Sequence, residues 1–469
     1  MSIKIYNTFS HQKEDFIPAK QGAVGIYCCG PTTYNYIHLG NARPLVVFDT
    51  VRRYFDYRGY QTKYVQNFTD IDDKIINRAT EEGESPQSLA EKYIKAYFED
   101  AAALNILPAD IHPKVTEHIA EIIAMVQSII GRGFAYEADG DVYFDVRAFA
   151  PYGQLSGRDL DDLFSGARVE QGHKKRDPLD FALWKAAKSG EPAWDSPWGQ
   201  GRPGWHIECS AMSCKYLGKD FDIHGGGADL IFPHHENERA QAQAANGGSF
   251  ARYWMHNGFI TVNKEKMSKS EGNFFLLRDI LQKFSGDVIR FYLLSTHYRS
   301  PIDFDDEKLS MAQRSLERIQ TSYNLLQEAL EKASGDGKSP LDKLIGESRA
   351  QFIEAMDDDF NTALAVSVVF DFCHALNTML SDTPSAKSLR AAAQLFDEWH
   401  SVLGMLIPQK KALVGLEEKL LQLIIKIRQT VRETKNWATA DAIRDGLKEI
   451  GIVLEDCPDG VRWKKYDAL

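Results

Sequence analysis

Three short clusters bring together side chains with chemistry to offer. The first is His38-Leu39-Gly40-Asn41 and the second is Lys266-Met267-Ser268-Lys269-Ser270, followed by Glu271-Gly272-Asn273. The third is His234-His235-Glu236-Asn237-Glu238. A helix opening at the first cluster offers unpaired N–H groups and a positive dipole end, which suit phosphate. Gly40 lets a planar base approach the backbone, and His38 can donate to a phosphate oxygen as charge develops. Lys266 and Lys269 supply positive charge from a Ser-rich loop. Such a set serves an in-line displacement at a nucleotide phosphate. No protein nucleophile is needed there, and positioning and charge neutralisation do the work. A lone His-x-Gly is more often a turn, and a lone Lys-x-x-Lys a solvated face. The two motifs in this order are far more specific than either alone.

The third cluster suits a metal. On a helix, His234 and Glu238 are four residues apart and share a face. An imidazole and a carboxylate at that spacing are common metal ligands, and Cys28 and Cys209 could complete a four-ligand site. Cys28 and Cys29 are neighbours at a strand end and point oppositely, so one of the two can bind. Cys209 and Cys214 are five apart, on different faces of a helix, and are not expected to be co-ligands. A helix cap with buried thiols accounts for the same residues equally well.

These clusters need a scaffold. Val24 to Cys28 reads as a buried strand stopping at Cys29-Gly30-Pro31. Asn41 to Tyr57 is helical, and Thr62 to Gln66 is a second strand. Strand, helix, strand over about forty residues is a parallel crossover unit, whose ligands gather at the carboxyl ends of the strands. The predicted fold is α/β, a Rossmann-type parallel sheet split by an insertion. Residues 1–114 form its first half, 115–200 the insertion, 201–262 the second half and 263–305 a connector carrying the lysine-rich loop. Residues 306–407 form a helical bundle and 408–469 a small mixed module ending in a hairpin. Polar stretches at Ser334–Pro340 and Pro408–Gly415 suggest separable units.

Composition sets outer limits. Hydrophobic residues make up 43% of the 469, an ordinary globular proportion for two to four domains. No run approaches the ~18 apolar residues of a membrane span, and the start is polar, so a cytoplasmic protein is the default. Six cysteines in this length point to metal binding or burial rather than a disulfide scaffold. A net charge of -11 counts against bulk electrostatic binding of nucleic acid but not against a local basic track.

The paired motifs resemble those of class I aminoacyl-tRNA synthetases. The stretches Asp180–Lys185, Ser196–Gly199, Gly201–Ser210, Phe221–Gly227 and Phe232–Glu238 narrow the resemblance to cysteinyl-tRNA synthetases, from about residue 22 to the C-terminus. The family's usual first tetrad ends in His, and here Asn41 offers a neutral hydrogen bond without charge. The resemblance implies activation of L-cysteine with ATP and Mg²⁺ to an adenylate, then transfer to the 3′ end of tRNA(Cys). It makes Cys28, Cys209, His234 and Glu238 ligands of one Zn²⁺, which would select the substrate thiolate. His38, Asn41, Lys266 and Lys269 become catalytic. Gly30, His38, Gly40, Asn41, Gly227, Asp229 and Lys269 would bind ATP, and Thr69, Trp205 and His224 the amino acid. Asn67–Lys74 resembles a segment beside the active site, with Thr32 and Tyr34 nearby, and an N-cap with acidic first-turn residues accounts for it at least as well. Met356–Thr362 resembles the start of the anticodon-domain helices, its acidic run reading as a cap and solvated face. Arg428, Arg432, Lys435, Arg444 and Trp463 are candidates to face tRNA. A monomer is expected. The rivals are a ligase passing activated cysteine to an amino sugar, and a non-catalytic cysteine or zinc sensor.

Overall fold

A computed structural model describes residues 2–159, 174–248, 250–262, 265–266, 275–382, 384–407, 416–450, 452–457 and 460–465. The lysine-rich loop from Met267 to Asn273 lies outside them, as does the side chain of Lys266.

The central sheet has four parallel strands. They are β1 (Ala23–Cys28), β2 (Gln61–Gln66), β3 (Phe221–Gly227) and β4 (Ala251–Asn257), in spatial order β4-β3-β1-β2. The order reverses between β1 and β3, which opens a crevice at their carboxyl ends. β3 is buried along almost its whole length, as a strand covered on both faces must be. Helix α1 (Leu39–Tyr57) runs from β1 towards β2 and packs across the sheet. A Cβ on Gly225 would stand 2.1 Å from the Phe48 ring, so the glycine lets α1 close on β3.

Between β2 and β3 the chain forms helices Asp73–Glu82, Pro86–Ala103 and Ile119–Gly131. An antiparallel sheet of Ala135–Ala138, Asp141–Phe144, Phe181–Ala186 and Gly201–Pro203 follows, running three residues past the expected end of the insertion. Val126, Phe144, Leu183 and Trp184 join Met212 of helix α2 (Trp205–Leu217) and Ala240 of helix α3 (Glu236–Asn246) in one core. After β4, Ile260–Val262 pairs with Glu265–Lys266 on one side and Ile302–Asp303 on the other.

Helices Asp306–Lys332, Pro340–Asp357, Thr362–Met379 and Ala386–Leu403 follow, capped by Asp305, Ser339, Asn361 and Ser385. Their interior is continuous with that of α1, since Tyr54 and Phe55 share a cluster with Phe352, Phe372 and Trp399. The chain accordingly divides into two compact units, Met1–Ile407 and Pro408–Leu469, and the polar Ser334–Pro340 stretch separates nothing. One helical stretch, Thr362–Asp382, is long and apolar enough, by length and composition, to cross a membrane. Its Val369, Phe372 and Leu376 lie in that shared core. The second unit has helices Leu416–Glu433 and Trp437–Glu449 and a hairpin of Ile452–Cys457 with Gly460–Lys465. Leu421, Leu447 and Leu454 form its small core.

Candidate functional site

The carboxyl ends of the strands open into one cleft. Cys29 and Gly30 follow β1, Gly227 and Asp229 end and follow β3, and Asn257 to Ile260 follow β4. His38, Gly40 and Asn41 enter from α1, Trp205 from α2 and Lys74 from the helix after β2. Gly30 is dictated by space, because a Cβ there would lie 1.6 Å from the Asn67 carbonyl oxygen. Its N–H instead donates to Asn67 Oδ1 at 2.9 Å.

At the mouth, His38 is the N-cap of α1 and Asn41 its third residue. The Asn41 N–H donates to His38 Nδ1 at 3.2 Å, and the His38 N–H donates to Asn41 Oδ1 at 3.2 Å. This is a reciprocal capping box built from His and Asn. A ring nitrogen that accepts carries no proton, so the proton of neutral His38 sits on Nε2. Asn41 thus does structural work that a charge would not improve. The segment just beyond the lysine-rich loop is stitched to the same motif. Leu39 N–H donates to Phe275 O at 3.2 Å and Leu277 N–H to Ile37 O at 3.0 Å.

Deeper in, sulfur, imidazole and carboxylate converge. Cys29, Cys209, His234 and Glu238 place one ligand atom each within 4.8 Å of the others, and so do Cys29, His224, His235 and Glu238. His234 Nε2 is 3.0 Å and Cys29 Sγ 3.3 Å from Glu238 Oε1. Glu238 Oε2 is buried without a hydrogen bond. The thiol that reaches the cluster is that of Cys29, which corrects the expectation for Cys28. Cys28 is the last residue of β1 and its side chain is turned into the core, where burial pushes the thiol up to about 12 despite hydrogen bonding to Tyr64 and Gln66. The alternation of the strand end was legible, but it does not say which member of the pair faces the cleft. Cys214 is also outside the cluster, beside Asn246 Nδ2 at 3.5 Å.

Burial would raise the Cys209 thiol, but hydrogen bonding from Cys29 and the neighbouring His234 hold it at about 6. Burial likewise opposes charge on His234, and the Glu238 carboxylate overcomes it and raises the imidazole to about 10. Glu238 itself would be raised by burial, and His224 and His234 hold it well below the usual carboxylate range. A carboxylate without its full complement of hydrogen bonds, two thiols and an imidazole are the donor chemistry of a zinc site, and the residues present fit that ion.

Further histidines, His206 and His256, join the imidazoles of the cluster, neither of them singled out in the sequence. His206 Nδ1 lies 2.9 Å from His234 Nδ1, and His235 Nδ1 lies 2.7 Å from His256 Nε2. His256 Nδ1 reaches Thr8 Oγ1 at 2.8 Å. Burial holds His206 and His235 well below the ordinary imidazole range and His256 at about 3. Scattered over fifty residues, these had no spacing to betray them.

The remaining expected residues divide. Trp205 lines the cleft and stacks on His234, with ring centroids 4.3 Å apart. His224 is wholly buried behind the cluster, stacked on Trp254, with Nε2 3.5 Å from Cys29 Sγ. Thr69 is buried and donates to Glu208 Oε2 at 2.7 Å, and its bridge partner Thr32, with Tyr34, lines the cleft. Arg428 is almost fully buried, and Arg444 pairs with Asp441 and Asp445 of its own helix. Arg432 lies over the Trp437 ring at 5.9 Å. Lys269 and the side chain of Trp463 lie outside the described residues.

Residues 15–314 match a family model described as the tRNA synthetases class I (C) catalytic domain. Residues 351–407 match the DALR domain, and 421–463 the cysteinyl-tRNA ligase anticodon binding domain. The chain is 60% identical over 486 residues to the cysteine–tRNA ligase of Pelotomaculum thermopropionicum, covering 99% of this chain and 100% of that one. It is 51% identical over 471 residues to that of Bacillus licheniformis, covering both completely. A solved Mycobacterium tuberculosis methionyl-tRNA synthetase in complex with methionyl-adenylate shares the fold. Its TM-score is 0.61 at 16% identity, over 81% of this chain and 89% of that one.

Proposed function

This chain belongs to the cysteine–tRNA ligases, and we propose that Cys29, Cys209, His234 and Glu238 hold a zinc ion beside which the amino-acid side chain is recognised. As a class I synthetase the chain takes an amino acid, ATP and tRNA as substrates. Relatives of the same length across the whole chain, and the match of the terminal module, favour neither an amino-sugar ligase nor a sensor. The observation that carries the proposal is the convergence of those four ligand atoms under the nucleotide cleft. Of the two overlapping sets, this one holds both thiols, and Trp205 of the cleft wall stacks on its histidine.

When bound, zinc supplies a borderline-soft Lewis acid that prefers a thiolate to a hydroxyl. That preference separates cysteine from serine, which an apolar pocket would do weakly because the two are close in shape. Trp205 and Thr32 bound the amino acid, and His224 supports Cys29 and Glu238 from behind. Gly30, Gly40, Gly227 and Asp229 admit the nucleotide, with the base against the backbone of Gly40 and the ribose near Asp229. His38 donates from Nε2 to the phosphate as the amino-acid carboxylate displaces pyrophosphate, and Asn41 holds the ring for it. Lys266 and Lys269 neutralise the departing charge, with Mg²⁺ accompanying ATP. The terminal unit reads tRNA(Cys), and the enzyme works as a cytoplasmic monomer.

Cysteine-dependent ATP–pyrophosphate exchange tests the reading, run beside serine and with metal content measured on the same preparation. Exchange should favour cysteine by several orders of magnitude, with about one zinc per chain. Metal-free protein that keeps this preference would overturn it.

A further inference from the structure

The cleft must handle polyanions, yet among the described residues its wall carries one permanent cation, Lys74. Lys74 is the second residue of helix Asp73–Glu82, exposed to the cleft, with its ammonium 5.6 Å from the centre of the Tyr34 ring. Two carboxylates adjoin it in sequence, and both are engaged elsewhere. Asp72 accepts the Lys74 N–H as the helix N-cap. Asp73 pairs with Lys185 at 2.7 Å and with Arg202, both on the insertion sheet. Among the described residues Lys74 itself has no ion-pair partner. An exposed lysine is commonly just solvated, but this one faces the reaction cleft with its charge uncompensated.

Its position says which anion it serves. In the order β4-β3-β1-β2, Gly227, Asp229 and Gly258–Ile260 follow β3 and β4 on one side of Cys29, and Lys74 follows β2 on the other. Adjacent strands are about 4.8 Å apart, so β2 and β3 are separated by roughly 10 Å across β1. The Gly227, Asp229 and Gly258–Ile260 wall, where the ribose is placed, is across β1 from Lys74. The phosphate left for it is that of the acceptor, which must reach the activated carboxyl from the side the nucleotide does not fill. Tyr34, beneath the ammonium, adds an aromatic ring to that side of the cleft, the kind of surface single-stranded RNA recognition uses.

We propose that Lys74 binds a phosphodiester of the tRNA 3′ end and holds it for the transfer step. The proposal rests on the reading of the cleft given above. In that step the terminal ribose hydroxyl attacks the acyl carbonyl carbon and an ester C–O bond forms. The bond from that carbon to the phosphate oxygen breaks, and AMP leaves with the hydroxyl proton. Lys74 exchanges no atoms. It is a positioning residue for the acceptor.

Two half-reactions separate its role from a general one. Lys74→Ala and Lys74→Arg are compared in cysteine-dependent ATP–pyrophosphate exchange and in single-turnover transfer from preformed enzyme-bound adenylate to tRNA. Lys74→Ala should slow transfer about tenfold and lower the salt dependence of tRNA binding by about one phosphate contact. Lys74→Arg should restore transfer to within about threefold, and both variants should keep exchange within about twofold. Unaltered transfer in Lys74→Ala, with exchange intact, overturns the role of Lys74 alone. Exchange falling in step with transfer overturns it too, because the lysine would then serve the nucleotide. Unmodified protein without cysteine-dependent exchange would overturn the reading of the cleft itself, and this role with it.

Discussion

Cys28 and Cys29 are adjacent, chemically identical and opposite in fate, so exchanging each for serine isolates the contribution of one sulfur. Cys29 Sγ belongs to the ligand cluster, whereas Cys28 is buried among Tyr64 and Gln66. Four-ligand zinc sites contribute about 10–16 kcal/mol in small domains, or roughly 3 kcal/mol per ligand. Replacing a thiolate by a hydroxyl at Cys29 should therefore weaken zinc about a hundredfold. Cys28→Ser buries a hydroxyl where a thiol was, at a cost of about 1 kcal/mol because polar partners are at hand. That corresponds to a fall of roughly 2 °C in Tm with zinc unchanged. The assay is zinc content by elemental analysis across a chelator series, with thermal melts to establish that each variant is folded. If folded Cys28→Ser loses the ion while Cys29→Ser keeps it, the assignment of the two side chains is wrong.

Three further outcomes follow from geometry. Asn41→Ala removes one half of the capping box, costing about 1 kcal/mol at the helix start; kcat for pyrophosphate exchange should fall about tenfold with KM for cysteine unchanged, and a rise in that KM alone would contradict it. Arg43 is fully buried and donates to the carbonyl oxygens of Gly258 (2.8 Å), Phe259 (2.9 Å), Tyr298 (3.1 Å) and Ser300. Arg43→Lys keeps the charge but loses the planar fork, so KM for ATP should rise about tenfold while zinc content holds; an unchanged KM for ATP would show that the clamp does not shape the nucleotide wall. Burial raises Asp287 to about 6, against the pull of Arg290. Between its unfolded value near 4 and 6, the folded state binds the extra proton, so this group's contribution to stability falls as pH rises through that window. Partial exposure reduces the penalty at neutral pH to about 1 kcal/mol. Asp287→Asn should therefore stabilise at pH 7 and not at pH 4, read from denaturant midpoints, and a gain independent of pH would refute the cause.

Strands β1 and β3 were legible because each ends in a glycine-containing turn, and the periodicity of helix α1 continues without interruption past Pro44 to Tyr57. The His38–Asn41 motif, contiguous in sequence, does line the cleft, whereas Met267–Ser270 of the lysine-rich motif lies outside the described residues. What stayed hidden depends on contacts between distant segments. The acidic run at Met356–Thr362 read as a cap and solvated face. Asp358 is exposed, but Asp357 and Asp359 are buried. Asp357 accepts from Tyr54 Oη of α1 at 2.7 Å and from Arg58, the C-cap of that helix. Asp359, at φ +62°, accepts the Tyr6 N–H and the Tyr298 hydroxyl at 2.8 Å each and pairs with Arg299 at 2.7 Å. No local pattern distinguishes a solvated aspartate from one whose partners lie 60 to 350 residues away.

Those contacts explain why the helices after Asp306 cannot be treated as an appendage to the chemistry. Arg290, wholly buried, donates to Asp49 Oδ2 of α1 at 2.5 Å and to the Leu403 carbonyl at the end of the bundle at 2.6 Å. Asp357 grips α1 near its C-terminus, and Asp359 grips the Tyr298–Arg299 turn. Arg43, near the other end of α1, holds the carbonyls of that same turn together with those of the nucleotide wall. The Ile37–Leu39 segment ahead of α1 is bridged to Phe275–Leu277, just past the lysine-rich loop. The helix that presents His38 and Asn41 is thus tied at its start to the segments flanking that loop and near its C-terminus directly to the bundle. The proposed site, split between two motifs more than two hundred residues apart, needs such ties, because in-line displacement tolerates little misplacement between phosphate and base. The bundle fixes α1 and the connector in one packed body, which is what the proposed activation chemistry requires of it.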